Sequence, residues 1–314
     1  MPEPRKEKGP LMDSVFQTRH KPLVGVPVTL EPDIRVITAP NASPMTFTGT
    51  QTYLVGTTDL AIIDPGPNME SHLQAILAAV LPGQQITQIM VTHSHIDHSP
   101  LAPKLSAETG AGISAFGPHD AARNPLMNTL GELGGGEGID ERFCPDHLIA
   151  HGDIVSGEGF ALEAVHLPGH LSNHLGFATS GRLFSGDCIM GWASTMISPP
   201  DGDLTAFMQS LDHLSARQDQ VYYPGHGAGV HNPMVLVDHI RNHRLARTTQ
   251  ILRVLQQGPR TVADITAEVY RDVPPKLHNA ASRNVLAHLI DLYSKNEITS
   301  AEEFHADATF GPAS

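Results

Sequence analysis

The sequence predicts a protein of the α/β class: two β-sheets between two layers of helices, an αββα sandwich, followed by a helical, winged-helix-like module. Three observations lead to this prediction. Short segments rich in β-branched residues alternate with segments of helical periodicity across residues 28–232. Several of the short segments end in a glycine followed by a histidine or an aspartate. From Pro233 onward, three helical segments follow one another, and a short strand closes them.

The domain boundaries follow from these changes of pattern. Residues 1–27 begin with a polar, charged stretch, and we expect them to form a flexible arm. Residues 28–232 would form the αββα domain and residues 233–314 the helical module. At 314 residues, the chain is long enough for one large domain or for two, and for a full hydrophobic core.

Strands and helices alternate through the first half of the αββα domain. The strands are predicted at residues 34–37, 50–54, 60–63 and 88–91, and the helices at 70–80 and 102–109. The first of these helices is expected to stop at Pro82-Gly83, because proline cannot continue a helix. This order matches one half of the sandwich.

Residues 111–150 form the least regular part of the sequence. Five glycines between positions 131 and 138 and few apolar residues predict a long mobile loop. A lid over a functional site and a surface insertion without a role are equal alternatives. As a lid, the loop would bring His119, Arg123 or Asn128 to the substrate.

The second half of the αββα domain repeats the order of the first. Its strands are predicted at 161–165, 182–186 and 221–223, and a helix at 203–216 has Asp203 as its expected N-cap. The C-terminal module is predicted to contain helices at 234–257, 261–270 and 276–295. Three helices and a short strand suit a winged-helix shape.

A cluster of histidines and one aspartate follows the strand at 88–91, in the stretch Thr92-His-Ser-His-Ile-Asp-His98. His93 and His95 alternate as along an extended chain, so both rings can turn toward one point, whereas Asp97 and His98 lie one turn further on. Imidazole and carboxylate groups are typical zinc ligands. One cation cannot easily use all four side chains, so they suggest two adjacent ions. A histidine-rich surface turn is the alternative interpretation.

Three more side chains of the ligand type lie downstream in similar settings. His170, Asp187 and His226 each follow a short apolar segment that ends in glycine. Glycine lets the backbone turn sharply or approach a site closely. The repeated arrangement indicates that these side chains belong to the same site as the cluster at 93–98.

Together with Asp64 in Ile63-Asp-Pro-Gly66, these motifs resemble the metallo-β-lactamase superfamily. The resemblance implies that the domain over 28–232 is catalytic and that Asp64 orients the ligand-bearing loops without binding a metal ion. It also implies one ion held by His93, His95 and His170, a second held by Asp97, His98 and His226, and Asp187 as the bridge between them.

Residues 183–191, 223–227 and 277–292 are similar to the β-lactamase-like protein two group within that superfamily. That resemblance implies a winged-helix-like C-terminal segment. The best-known member of the group is similar to an endoribonuclease, so the resemblance implies single-stranded RNA as the first expected substrate.

The charge of the chain argues against RNA. The formal net charge is −13, with 20 lysines and arginines against 33 acidic residues, and nucleic-acid binding depends on clustered basic residues. The alternative is a thioester or ester hydrolase similar to the glyoxalase II branch, whose arrangement of a histidine after Pro-Gly-His recurs at His174. A nucleic-acid-binding regulator with a structural metal site and a β-lactamase rank lower.

The expected mechanism uses two divalent ions, most simply Zn²⁺, with iron or manganese as alternatives. A hydroxide bridging the ions would attack the substrate, and Asp97 would orient it. His174 would either donate a proton to the leaving group or act as a positioning histidine bonded to backbone or to Asp64.

The remaining expectations concern cellular context. Cys144 and Cys188 are the only cysteines, so a disulfide framework is not expected, and Cys188 is interpreted as a small buried residue. No signal peptide or membrane span is apparent, which predicts a cytoplasmic protein without a membrane partner. A homodimer is compatible with the sequence.

Overall fold

Two β-sheets form the centre of the protein, and the computed structural model describes residues 15–129, 138–274 and 277–313. The first sheet has seven strands in chain order: β1 (Val28–Glu31), β2 (Ile34–Thr38), β3 (Gln51–Val55), β4 (Asp59–Ile63), β5 (Gln85–Met90), β6 (Gly112–Ala115) and β7 (His147–Leu148). Strands β1 to β4 pair antiparallel, and strands β4 to β7 pair parallel.

The second sheet has five strands in the order β12-β11-β10-β9-β8. They are β8 (Ile154–Gly157), β9 (Phe160–His166), β10 (Leu175–Thr179), β11 (Arg182–Gly186) and β12 (Val221–Pro224). Only β11 and β12 pair parallel within this sheet; the other neighbours are antiparallel.

The two sheets face each other across a shared apolar core. Tyr53 and Ile63 of the first sheet pack in one buried cluster with Phe177 and Phe184 of the second, and the Tyr53 ring lies edge-on to Phe184 at 5.0 Å. Three helices follow the strands of the first sheet: α1 (Glu70–Ala78), α2 (Ala102–Thr109) and the short α3 (Pro125–Thr129). Helices α1 and α2 cover its outer face, while α4 (Leu204–Ser215) and α5 (Pro233–Leu255) cover the outer face of the second sheet. The predicted αββα sandwich is confirmed.

The C-terminal module contains α6 (Val262–Val269), α7 (His278–Ser294) and a small sheet of order β13-β15-β14. Its strands are β13 (Arg260–Thr261), β14 (Ile298–Ser300) and β15 (Thr309–Pro312). The predicted start of the third helix at 276 lies outside the described residues. A short strand, two helices and two further strands that pair antiparallel with each other and with the first give this module its winged-helix form.

Helix α5 belongs to two hydrophobic cores. Its N-terminal half contributes Leu236, Val237 and Ile240 to the outer core of the second sheet, whereas Ile251 and Leu255 lie in the core of the C-terminal module. All five side chains are at most 3% exposed. The two halves of one continuous helix therefore tie the αββα body to the module.

The described part of the N-terminal arm lies against the body. Val15 and Phe16 pack on the outer core of the second sheet, the Phe16 ring is edge-on to His239 at 5.6 Å, and the Gln17 amide donates to the Gly191 carbonyl at 2.7 Å. Residues 1–14 of the predicted flexible arm lie outside the described residues, and in the described part Val15 and Phe16 anchor the chain to the body.

The described parts of residues 111–150, namely 111–129 and 138–150, contain more regular structure than the expected loop. They contain β6, α3 and β7, and Gly131 to Gly136 lie outside the described residues. The Arg123 guanidinium forms an ion pair with Asp201 at 2.6 Å, His119 accepts a hydrogen bond through its backbone carbonyl, and Asn128 is exposed. A lid role for this segment remains a prediction.

Among the residues that the structure describes, no helix is both long and apolar enough to cross a membrane.

Candidate metal centre

The ligand-type side chains converge because the strands that carry them end at one edge of the sandwich. His93 and His95 follow β5, His170 follows β9, Asp187 follows β11, and His226 follows β12. Two backbone contacts hold this edge together: the Leu175 amide donates to the Thr92 carbonyl at 2.7 Å, and Thr50 forms an isolated bridge with His226. Residues far apart in sequence therefore meet between the two sheets.

Three histidines form the first group. Nε2 of His93 lies 3.0 Å from Nδ1 of His95, and Nε2 of His170 lies 3.1 Å from the same His95 atom. These ring nitrogens all lie within 4.8 Å of one another, a spacing that one metal ion can span. His95 faces the group through Nδ1, whereas the other two rings face it through Nε2.

The second group contains one carboxylate and two histidines. Oδ2 of Asp97 lies 3.4 Å from Nε2 of His98 and 3.2 Å from Nε2 of His226, and these two nitrogens are 3.4 Å apart. The geometry again permits one metal ion.

Asp187 lies between the two groups. Its Oδ2 atom is 3.8 Å from Nε2 of His170 and 3.4 Å from Nε2 of His226, and its Oδ1 atom is 3.6 Å from Nε2 of His98. Oδ1 is buried and has no hydrogen-bond partner within the described ranges. A buried carboxylate oxygen without a donor is well suited to accept a cation.

Each histidine ring has one nitrogen that faces the centre and one that points away from it. The hydrogen bonds of the nitrogens that point away show whether a metal ion fits. Nδ1 of His93 bonds Thr92 Oγ1 at 2.9 Å, Nδ1 of His98 bonds Asp64 Oδ2 at 2.9 Å, and Nδ1 of His170 bonds the Met196 carbonyl at 2.9 Å. An imidazole whose outer nitrogen donates a proton presents a lone pair on its inner nitrogen, which is how metal-bound histidines are oriented. The side chains present therefore fit two divalent ions.

Asp64 lies behind the ligands rather than among them. Its carboxylate accepts hydrogen bonds from the Thr92 amide and the Thr92 hydroxyl, both at 2.7 Å, in addition to its contact with His98. The backbone of Asp64 has a φ of +51°, which aims the side chain back toward the loop after β5. Directly at His98 and through Thr92 at His93, Asp64 therefore contacts both groups from behind.

His174 is buried beneath the centre. Its ring stacks on His93 at a centroid distance of 4.9 Å, and its Nε2 atom accepts a hydrogen bond from the Asp187 amide at 3.1 Å. Burial lowers the pKa of His174 well below its usual range, which disfavours a protonated acid. Of the two roles considered for His174, this geometry favours the positioning histidine bonded to backbone.

The electrostatic environments of the two groups differ. Burial lowers the pKa of His93 well below its usual range and that of His95 to about 3, so both rings are neutral. Burial opposes a charge on His226 as well, but Asp187 and Asp97 raise its pKa to about 9. Metal binding at the second group therefore has to displace a proton.

Cys188 is not among the ligand-type side chains of either group. Its side chain is fully buried in the outer core of the second sheet, and burial together with Asp187 raises the pKa of its thiol to about 12. The thiolate form that binds metal ions is therefore disfavoured.

Some contacts behind the ligands had no signal in the sequence. The Thr50 hydroxyl donates to Oδ2 of Asp97 at 3.2 Å, and the Thr195 hydroxyl donates to the Asp187 carbonyl at 2.7 Å. Neither threonine belongs to a motif, because folding alone brings it to the site. Thr92 is different, since it stands directly before the first ligand in the histidine cluster.

The centre opens to solvent on one side. His95, Asp97 and His170 are partly exposed, while His93, His98 and His226 are buried. A cavity of about 900 Å³ is lined by residues 16–20, Trp192 and Ala228; the last two belong to the loops after Asp187 and His226, but none of the ligand-type side chains lines it. The Trp192 ring stacks on Phe47 at 4.8 Å and forms one wall of it.

Comparison with known proteins identifies both parts of the chain. A family model of the metallo-beta-lactamase superfamily matches residues 45–226, and one of the beta-lactamase associated winged helix domain matches residues 261–304. A beta-lactamase-like protein 2 homolog of Drosophila melanogaster is 32% identical over 288 residues, which cover 84% of this chain and 90% of the relative. An atrochrysone carboxyl ACP thioesterase of Aspergillus fumigatus is 30% identical over 246 residues, covering 75% of this chain and 70% of the relative.

Solved structures show the same fold. A beta-lactamase domain protein from Burkholderia ambifaria superposes with a TM-score of 0.76 at 20% identity and covers 93% of this chain and 95% of its own. The superfamily match spans more than half of the sequence, and the fold and the histidine and aspartate cluster agree with it. The chain therefore belongs to the metallo-beta-lactamase superfamily and is a hydrolase of that fold with a C-terminal winged helix domain.

Proposed function

We propose that this protein is a dinuclear metal-dependent hydrolase of acyl thioesters. The observation that carries the proposal is the position of Asp187, whose two oxygens face histidines of both ligand groups at 3.4–3.8 Å. A single tetrahedral structural site would not need such a carboxylate. We propose zinc in both positions, with iron and manganese as the alternatives.

Two bound ions would lower the pKa of a water molecule toward neutrality and polarise the carbonyl of the substrate. The protein's own contribution comes from Asp97, which lies on the open side and whose Oδ2 atom is held by the Thr50 hydroxyl. Asp97 can accept the proton of the attacking water. Asp64 and His174 keep the ligands and the Asp187 backbone in place from behind.

The chemistry of the leaving group favours a thioester as the substrate. Water adds to the thioester carbonyl, the carbon–sulfur bond breaks, and a thiolate leaves; with a pKa near 8.5, a thiol does not require a proton donor at that moment. His174, the candidate donor, is fully buried and accepts a hydrogen bond from the Asp187 amide. An alkoxide leaving from an RNA phosphodiester depends more strongly on an acid.

The names of two relatives also favour a thioester over RNA as the substrate. Two of the related proteins, from Aspergillus fumigatus and Passalora fulva, are named atrochrysone carboxyl ACP thioesterases. Single-stranded RNA, which the resemblance alone placed first, has no such support and takes second place. The acidic net charge of −13 also counts against it.

The test is turnover by the zinc-loaded protein of S-lactoylglutathione, a generic acyl thioester and a short unstructured RNA, at fixed low salt and with a chelator control. We expect thioester cleavage that the chelator abolishes and zinc restores. RNA cleavage with the same metal dependence, and no thioester cleavage, would make the protein a ribonuclease. Binding of nucleic acid without any turnover would favour the regulator interpretation, and cleavage confined to β-lactams would favour the lactamase.

A further inference from the structure

The segment 195–199 lies between the metal centre and the C-terminal module. On its inner side, the Thr195 hydroxyl donates to the carbonyls of Asp187 and Cys188 at 2.7 and 2.8 Å, and the Met196 carbonyl accepts from Nδ1 of His170 at 2.9 Å. The position of this short backbone segment therefore sets the orientation of two ligands, one of them the aspartate between the two groups.

Arg244 of α5 holds this segment from its outer side. Its Nη2 atom donates to the Thr195 carbonyl, its Nη1 atom donates to Asn284 of α7 at 2.9 Å, and its guanidinium carbon lies 5.6 Å from the centre of the Phe207 ring. One planar group thus connects the segment to both long helices of the C-terminal part. Lysine could not reproduce this connection, because it lacks the rigid fork of donors.

The burial of Arg244 costs free energy, because a guanidinium loses its contacts with water. The side chain is 4% exposed, and within the described residues no carboxylate forms an ion pair with it. Burial lowers its pKa to about 10, so the guanidinium stays charged at neutral pH. Without a counter-ion, its hydrogen bonds to Thr195 and Asn284 have to offset the cost of removing the charge from water.

Arg283 of α7 contacts the same segment further along. Its Nε atom donates to the Ser198 hydroxyl at 3.0 Å, and its Nη2 atom donates to the Pro199 carbonyl. Two arginines from two helices of the C-terminal part therefore converge on five consecutive residues. Both arginines point toward the αββα body.

We propose that Arg244 of α5 and Arg283 of the winged helix domain form an arginine clasp that holds the metal ligands Asp187 and His170 in position. Both are positioning residues that act through the segment 195–199, and neither contacts the substrate. The inference rests on the metal centre of the proposed function and is independent of its thioester substrate. It makes the C-terminal module a structural part of the metal site.

The clasp is tested by metal affinity, measured by chelator competition, and by the visible spectrum of the cobalt-loaded full-length protein. Arg244→Gln should weaken the binding of at least one ion about 10-fold to 100-fold, the usual effect of losing a contact behind a metal ligand, and should change the cobalt spectrum. Arg244→Lys should restore only part of the affinity, and Arg283→Gln should show a smaller loss than Arg244→Gln.

Arg247→Gln is the matched control. Arg247 lies one turn further along α5 and is half-buried; its guanidinium donates to Gln250 of α5 and to the Val269 carbonyl and lies 4.0 Å from the centre of the Tyr270 ring, and none of these partners belongs to the segment 195–199. Its loss should leave metal affinity and spectrum unchanged. If Arg247→Gln weakened metal binding as much as Arg244→Gln, general destabilisation of the module would replace the clasp as the explanation.

Thr195→Val examines the same link without touching an arginine, should Arg244→Gln fail to fold. It removes the hydroxyl that holds the Asp187 carbonyl and should weaken metal binding in the same direction. Wild-type metal affinity in folded Arg244→Gln or Thr195→Val protein would overturn the clasp and leave the proposed function intact. A wild-type protein that binds no divalent ion would overturn both.

Discussion

Asp97 is the one carboxylate of the centre that is both close to the second ligand group and partly open to solvent. Replacing it with asparagine keeps the shape of the side chain and removes its charge and its basicity. We expect Asp97→Asn to lower kcat for a thioester about 100-fold or more, the usual contribution of a positioned general base. Steady-state kinetics of the zinc-loaded protein measure this change in kcat.

Asp238→Asn is a suitable control for this substitution, because Asp238 is exposed on α5. It should leave kcat unchanged. Wild-type turnover by Asp97→Asn, with both metal ions retained, would show that Asp97 is not the general base. Another group on the open side would then have that role.

His72 gives the protein a stability that depends on pH. The ring is fully buried on α1, Nε2 bonds the Thr52 hydroxyl at 2.8 Å, and burial lowers its pKa to about 4. The Thr52 hydroxyl in turn donates to the Asp64 carbonyl at 2.7 Å, so Nε2 carries the proton in the neutral ring. Because the folded-state pKa lies below the unfolded value of 6.5, the unfolded chain binds the extra proton between these values.

The stability that neutral His72 provides is therefore present above pH 6.5 and is lost as the pH falls toward 4. At pH 5, the loss should be about 2 kcal/mol. His72→Gln keeps a donor for Thr52 and removes the titration, so its free energy of unfolding should fall by about 2 kcal/mol less than that of the wild type between pH 7 and pH 5. Urea denaturation of both metal-free proteins measures this difference; parallel curves would contradict it.

Residues of the ligand type could be predicted from the sequence because each follows a short strand in a recurring pattern. The structure brings all seven together, along with Asp64 behind them. What the pattern could not predict is which nitrogen a ring presents, as with Nδ1 of His95, or how deeply His174 is buried. Those depend on packing between segments that are distant in sequence.

At the scale of the elements, the helices were predictable where a cap or a proline marks an end. Asp203 caps α4 by accepting from the Ala206 amide, and α2 spans the predicted residues 102–109. Helix α5 begins one residue before the predicted start, with Pro233 in its first turn, where its missing amide hydrogen is not needed. Strand β6 was missed because Gly112–Ala115 has one β-branched residue, Ile113, beside glycine and alanine, which are depleted in strands.

The end of β12 shows how closely an element must approach the metal centre. A Cβ atom on Gly225 would lie 2.3 Å from Oδ1 of Asp187 and 2.7 Å from Cε1 of His98. We therefore expect Gly225→Ala to displace two ligands of the centre and to lower metal affinity about 10-fold or more. Metal content after dialysis against a weak chelator measures the effect.

Gly229→Ala provides the matching substitution on the same loop. A Cβ atom there would meet the Tyr223 ring at 3.4 Å and the Tyr222 carbonyl oxygen at 3.7 Å, both ordinary contact distances. The variant should retain its metal ions. Equal metal loss in both variants would show that the loop after β12 tolerates no side chain, for reasons unrelated to Asp187.

At the scale of the whole molecule, helix α5 contributes to the cores of both the body and the module, so we expect the two to unfold together. A chain that ends at residue 232 would lack Leu236, Val237 and Ile240, which complete the outer core of the second sheet. Loss of one such buried aliphatic side chain costs about 2–5 kcal/mol, a large part of the stability of an ordinary domain.

We therefore expect calorimetry of the full-length protein to show one cooperative unfolding transition, and the chain ending at residue 232 to lack a native fold. Two well-separated transitions would mean that the predicted boundary at 233 is a true folding boundary. The sequence predicted this boundary from a change of pattern, which marks where the helices begin but not which core they complete.

Sharing one helix between two cores also restricts how such a protein can change during evolution. A module attached by a linker can be lost or replaced as a single gene segment, with little consequence for its neighbour. Here, any replacement must supply an α5 that fits the second sheet through Leu236 and Ile240 and fits its own module through Ile251 and Leu255. The two parts are therefore expected to be inherited together.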